Sequence, residues 1–204
     1  MQIKNINWLG LVSGLLLLAV IPLSLYAPWW QLRIGDLGYA NFSPLNSSFS
    51  LLGIAFMIPF LTAINVSCLL LLSLSAVFMI AYSVNPKKEY SKPLLYWSYK
   101  NPLAILIIFL VALVALSQLA PFIAHQYAQI AFTLPIIGTS IIQVPSELLG
   151  GLSGVQINLA LSGAFQWTFY LAIVASILCT ATRIFHSKAP FIEKPATDAT
   201  VTSS

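Results

Sequence analysis

The sequence predicts an all-α membrane fold, a bundle of four transmembrane helices, with a small extracellular β-layer built from the two outward loops. Three observations lead there. Four apolar runs each reach the roughly 20 residues that a helix needs to cross a hydrocarbon core of about 30 Å. Basic residues gather on one side of those runs, and the segments on the other side alternate apolar and polar residues, the period of a half-buried strand. Composition agrees: 59% of the 204 residues are hydrophobic and 7% charged, whereas a soluble domain carries about 25% charged residues and could not hide so much apolar surface. The net charge of +4 is no nucleic-acid signature, because the lysines and arginines stand just beyond the apolar runs and never three in succession.

The first span, about 8–27, follows a short polar lead whose one charge is Lys4. It is longer than a signal-peptide core, and Leu25 and Ala27 make a poor small-x-small cleavage site, so it reads as an uncleaved helix. Ala27-Pro28-Trp29-Trp30 marks the exit from the bilayer and opens the first outer segment, 28–56. Trp30 to Ile34 alternates as a strand, and Gly35-Asp36 with Gly38 supplies a turn. Asn41 to Ser50 is rich in Asn, Ser and Pro and reads as an irregular loop, with N-glycan acceptor triplets at Asn41 and Asn46. The second span is placed at about 57–84, with Pro59 as its working start or a kink. Residues 51–58 are expected at the interface or as an extension of that helix.

The inner loop, 85–101, sets Lys87, Lys88, Lys92 and Lys100 among Tyr90, Tyr96, Trp97 and Tyr99, the composition of a headgroup-level loop. Asn101-Pro102 then opens the third span, about 102–120, as N-cap and first helical residue, and the pattern allows helix on to about Phe132. The second outer segment, 121–163, holds the strongest strand signal in the chain: Val155, Ile157, Leu159 and Leu161 on one face, Gln156, Asn158, Ala160 and Ser162 on the other. The fourth span, about 164–183, ends at Arg183, His186 and Lys188. Residues 1–188 thus form one membrane domain, and the Thr- and Ser-rich tail, 189–204, is expected to be disordered.

Lys4, the inner-loop lysines, Arg183, Lys188 and Lys194 share one side, while the outer segments hold only Arg33 between them. The positive-inside rule therefore predicts a multi-pass cell-membrane protein with both termini cytoplasmic. Both halves read as span, outer segment, span. Residues 23–29 can be laid on 116–122, a parallel duplication in which Ala120-Pro121-Phe122 would repeat the hinge. Open strand edges held side by side tend to pair, so the two outer segments are expected to share one sheet.

Candidates for chemistry are few. With a third span beginning at 102, no ionisable residue lies between the ends of any span, the usual pointer to function in a membrane protein. His125 and His186 fall at opposite faces and cannot share an iron, and no HExxH or CxxC spacing offers a metal site. A triad could be drawn from a serine or threonine with His125 and Asp36 or Glu147, but nothing gathers them. Gly150-Gly151 lacks the lysine and following helix of a phosphate loop. Cys68 and Cys179 sit in apolar runs as buried thiols. Asn65, Gln118 and Gln166 suit hydrogen bonds between spans or the lining of a pore, and Gly10 with Gly14 suits close helix contact. Trp8, Trp29, Trp30 and Trp97 are expected as interface anchors. The second outer segment is apolar, with Ile136, Ile137, Ile141, Ile142, Val144, Leu148, Leu149 and Leu152 around one charge, as a binding surface would be.

Four spans, inward termini and an outer β-layer resemble the claudin-like tetraspan architecture. Claudins carry a Trp, then Gly-Leu-Trp and two cysteines in the first outer loop. Trp29-Trp30 has no such partner and both cysteines here lie in spans, so the resemblance is one of layout and implies no residue roles. The expected function is that of a non-enzymatic membrane protein, without cofactor, metal or nucleic acid. Its partners are the lipid bilayer and other membrane subunits or its own copies. It would serve as an accessory or structural subunit, or as a self-associating envelope protein. The alternative expectation is small-solute or ion transport, by an oligomeric pore or a groove lined by Asn65, Gln118 and Gln166.

Overall fold

The computed structural model describes residues 6–88, 90–128, 132–144 and 157–188. The tail 189–204, Glu147, Leu148, Leu149, Gly150-Gly151, Leu152, Val155 and Gln156 lie outside the described residues. Four helices are long and apolar enough to cross a membrane: α1 (Trp8–Tyr26), α2 (Pro59–Val84), α3 (Ser91–Ala128) and α4 (Trp167–Lys188). Strands β1 (Trp30–Ile34), β2 (Gly38–Phe42), β3 (Ser48–Leu51) and β4 (Ile54–Phe56) stand between α1 and α2, and β5 (Gly138–Val144) and β6 (Ile157–Phe165) between α3 and α4. All six make one sheet in the order β4-β3-β2-β1-β6-β5, with every neighbouring pair antiparallel. The central pairing of β1 with β6 sets Trp30 opposite Phe165 and Ile34 opposite Leu161, so the two segments do share a sheet.

Below the sheet lies the helical tier. Its core takes Leu17, Val20 and Ile21 from α1, Leu72, Ala76 and Met79 from α2, Leu95 and Ile105 from α3, and Phe169, Ala172, Ala175 and Cys179 from α4. Small residues let the backbones approach. A Cβ on Gly14 would stand 2.7 Å from Ile80 Cγ1, and one on Gly10 would collide with the Ser83 hydroxyl. The Gly-x-x-x-Gly pair is therefore consumed inside the bundle, against α2. α1 meets α4 through Ser13 and Thr182, whose hydroxyls are 3.1 Å apart.

Three local readings are corrected. The lysine-rich inner loop is mostly helix: α3 begins at Ser91 and runs through Pro102 and Pro121 for 38 residues. Ser91-Lys92-Pro93 puts a proline in the first turn, where its missing N–H costs nothing, ten residues before the similar signal at Asn101-Pro102. Asn101 is no cap; its amide donates across to Ser75 Oγ (3.2 Å). Nor is Ala120-Pro121-Phe122 a second hinge, since helix continues on both sides of it. Residues 43–47 are irregular as expected, but 41–42 and 48–56, expected as irregular loop and as an interface segment or helix extension, supply the end of β2 with β3 and β4. The hydrogen-bonding potential of an extended chain beside β1 is satisfied by pairing, and that tertiary opportunity outweighs local composition.

The junction after α1 is the joint between the tiers. Trp29 turns down into the helical core, donating to Ser24 Oγ (2.8 Å) and standing edge-on to Phe109 (5.2 Å, 79°). Trp30 turns the other way, donates to Ile136 O (2.7 Å), and forms a second core with Leu32, Leu113 and Leu161. Strand alternation sends neighbouring side chains to opposite faces, so two adjacent indoles seed two different cores. Both are almost wholly buried, at 2% and 0% exposed. They fill protein interior, whereas an interface anchor would face outward. Trp30→Ala should speed amide exchange in β1 and β6 and leave the lower helices protected. Trp29→Ala should loosen the helical tier as well, each change costing about 3–5 kcal/mol as buried aromatic truncations do. Hydrogen exchange read by mass spectrometry checks both.

Candidate interaction surface

The sheet carries a ladder of rings. Trp30 and Phe42 stand 5.8 Å apart, Phe42 and Phe49 4.9 Å, and Phe49 and Phe56 stack at 5.6 Å. Each step crosses to the next strand, from β1 to β4; the first three rings are buried or half-buried, and Phe56 is 48% exposed. The ladder thus ends open on an edge strand. All three residues of β4 are exposed, and Ile54, two residues from Phe56, lies on the same face. Protein edges are ordinarily blunted by shortness, lysine, proline or a bulge; β4 is three residues long and has none of the other devices within Ile54-Ala55-Phe56.

At the tip of the β3–β4 hairpin, Leu51 pairs with Ile54 across a two-residue turn, Leu52-Gly53. Both turn residues have positive φ, +52° and +78°, the type of turn in which Asn-Gly or Gly-Gly is favoured. A leucine in the left-handed region costs about 1–2 kcal/mol, and this one is 70% exposed. Its amide donates to Leu37 O (2.7 Å), which holds the strained turn against the β1–β2 turn. An apolar side chain is kept outward at a position where a polar one would fit more easily. Past the other end of β4, Met57 (80%) and Phe60 (72%) extend the apolar surface onto the start of α2.

A second apolar flank belongs to α3. Phe109 touches Trp29 at the top of the helical tier, and residues 110–128 continue beyond it for about 28 Å at 1.5 Å per residue. One side of this extension contributes Leu113 to the sheet core, while Val111, Val114, Leu119, Phe122, Ile123 and Tyr127 are exposed.

The polar residues singled out from the sequence do not come together. Asn65, with its nitrogen toward the carbonyls, donates to Ser43 O and Pro44 O (3.2 Å each) and accepts from Ser47 N (3.0 Å). It ties the 43–47 loop over the end of α1, where Leu45 plugs the helical core. Gln118 reaches its own neighbour Ser117 (3.4 Å). Gln166 lies between β6 and α4, with its backbone N–H on Trp29 O (2.9 Å). The acceptor asparagines are engaged too: Asn41 donates to Ser48 Oγ (3.2 Å) and Asn46 to Leu25 O (3.0 Å). Trp8 and Trp97 are the outward-facing tryptophans of the four named as anchors, at 61% and 52% exposed. His125 is exposed on the upper part of α3, whereas His186 stands near the far end of α4, so they are at opposite ends of the molecule. Cys68 and Cys179 are free thiols. Among the described residues, no group of three His, Cys, Asp or Glu gathers in a metal-binding cluster.

Sequence reading missed the β4 edge because 51–58 is as apolar as the span it precedes. The available signal was the spacing of Phe49 and Phe56, which a two-residue turn at 52–53 brings opposite each other. It also missed Lys100, hidden by placing the helix start at Asn101. For the loop clasp, Asn65→Leu should raise amide exchange at 43–47 and lower stability by about 1–3 kcal/mol, the cost of leaving buried backbone groups unpaired; thermal unfolding in mild detergent reads the loss.

No family model matches the chain, and no curated protein matches it.

Proposed function

We propose that this is a non-catalytic multi-pass membrane protein that works as a subunit, joining copies of itself or other membrane chains through the open apolar edge of its sheet. The observation that carries the reading is β4: an exposed edge strand that ends an aromatic ladder, bears no charge, and adjoins a strained, outward Leu52. Such an edge offers unpaired backbone groups and apolar side chains together, the combination used when sheets are extended by another chain. The height of the molecule supports the same reading. α3 exposes apolar side chains from Tyr96 to Tyr127, about 46 Å at 1.5 Å per residue, against a hydrocarbon core of about 30 Å. The excess calls for cover other than lipid tails.

The sheet faces outward in this proposal, with both termini in the cytoplasm of a cell-membrane protein. Lys87, Lys88, Lys92 and Arg183 all lie at the end of the bundle opposite the sheet, and the sheet carries Arg33 alone of the basic residues. That layout of four spans under one antiparallel sheet is the extent of the likeness to claudins. The transport alternative is the weaker one, because Asn65, Gln118 and Gln166 occupy three separate environments and line no common groove within a protomer.

Mass measurement of the detergent-solubilised protein tests the proposal. Wild type should run as an oligomer or with a co-purified membrane chain. Ile54→Lys should shift it toward monomer, with association weakened about tenfold or more, 1.4 kcal/mol per factor of ten. A strictly monomeric wild type with no companion would count against a subunit role, and solute flux through the purified protein in liposomes would favour transport.

A further inference from the structure

Lys100 is the tenth residue of α3, well inside the helical tier. Its neighbour Asn101 bonds to Ser75 (3.2 Å) and Ser98 donates to Met79 Sδ (3.8 Å), and Met79 packs on Gly14 of α1. That register sets Lys100 level with the middle of α1, about 13 Å along α3 from Ser91. α1 has 19 residues, about 28 Å, so it crosses a core of about 30 Å only if all of it is used. If these helices cross a bilayer, Lys100 lies within the hydrocarbon boundary that α1 defines. It is exposed on the outside of the bundle, where a bilayer would surround it with lipid.

An ammonium there needs acceptors and a counter-charge. Among the described residues the one carboxylate is Asp36, in the β1–β2 turn at the sheet end. Lys100 Nζ donates to Tyr96 OH (2.8 Å) and stands 5.0 Å from the centroid of that ring, which engages one of its three N–H donors. Tyr96 stands edge-on to Trp97 (6.3 Å, 87°) and Tyr99 (6.0 Å, 90°), and Tyr96 and Trp97 are themselves exposed. Helical side chains lean toward the N-terminus of their helix. The bond to Tyr96 therefore carries the ammonium toward the end that holds Lys87, Lys88 and Lys92, the nearer bilayer surface.

We propose that Lys100, with Tyr96 and Trp97 beside it, binds the phosphate of an anionic lipid in the leaflet at the end of the bundle opposite the sheet. Two features favour a headgroup over a carboxylate from a partner helix. The side chain snorkels toward the nearer surface instead of lying level at the midplane, and it does so along tyrosine and tryptophan, the residues that settle at headgroup depth.

The test uses the full chain in phosphatidylcholine nanodiscs doped with phosphatidylglycerol, with retained lipids counted by native mass spectrometry after release. Wild type should keep phosphatidylglycerol in preference to phosphatidylcholine. Lys100→Gln should lower that retention about fivefold, the effect of one basic group near an anionic leaflet, and Lys100→Arg should preserve it. The double change Lys87→Gln with Lys88→Gln, at the bundle end, should leave most of it. Displacement of the lipid by inorganic phosphate would reveal a site for the free anion and overturn the lipid assignment. Equal retention of the two lipids, unchanged retention in Lys100→Gln, or a co-purified protein whose binding needs Lys100 would overturn it as well.

Discussion

The fold depends on one meeting point, where the chain leaving α1 touches the chain entering α4. Pro28 O accepts from Thr168 Oγ1 (2.6 Å), Trp29 O accepts from Gln166 N (2.9 Å), and Trp29 N donates to Phe42 O (3.1 Å). These bonds lock the start of β1 to the end of β6 and to β2, directly above the helices. Three backbone groups that would be orphaned at a helix–strand junction find partners on α4, on the β6–α4 link and on β2. With the junction fixed, the neighbouring indoles have nowhere to go but into the two cores, one below and one above. Gly163 shows how closely the upper core is drawn in: a Cβ there would strike Pro135 O.

From that joint the two tiers take opposite characters. The lower one is tight, with small residues and hydroxyls between helices, and its polar side chains are spent on internal contacts such as Ser13 with Thr182 and Asn101 with Ser75. The upper one is open-ended. Its ring ladder starts wholly buried and finishes on an exposed three-residue strand, and a helix rises beside it with an apolar flank. Buried polar groups fix one arrangement of the lower helices, whereas an unfinished edge invites another chain. A closed bundle under an unfinished sheet is the division that the proposed subunit role would use. Lys100 adds a contact of another kind, since its charge sits on the outer wall of the closed tier with a tyrosine as its protein partner.

Much of the fold was legible in residue order because its signals are local. Trp30 to Ile34 is a strand as its alternation says, Pro59 opens α2, and the alternation around Ile157 to Ser162 is β6, with Leu161 buried on the predicted face. Four apolar runs of spanning length are four helices. Other signals were ambiguous at short range. Ser91-Lys92-Pro93 and Asn101-Pro102 each begin a helix equally well, and only packing on α2 decides that one helix runs through both. Ala120-Pro121-Phe122 resembles Ala27-Pro28-Trp29, yet the first stays helical and the second unwinds where strands wait to pair. The true counterpart of the first hinge is Phe165-Gln166-Trp167, which no similarity of letters suggests.

The sequence by itself determined the four helices of spanning length among the described residues, the central pair of strands and the separation of basic ends from apolar segments. Each follows from periodicity or composition, which act over a few neighbouring residues. The tertiary structure alone decided that Trp29 and Trp30 would be buried apart, that Asn65 would clasp a loop instead of bridging helices, that 51–58 would become an exposed edge, and that Lys100 would stand at mid-height on the bundle. Those outcomes depend on which groups from distant parts of the chain arrive to satisfy a donor, fill a void or leave an edge bare, and no local pattern encodes that arrival.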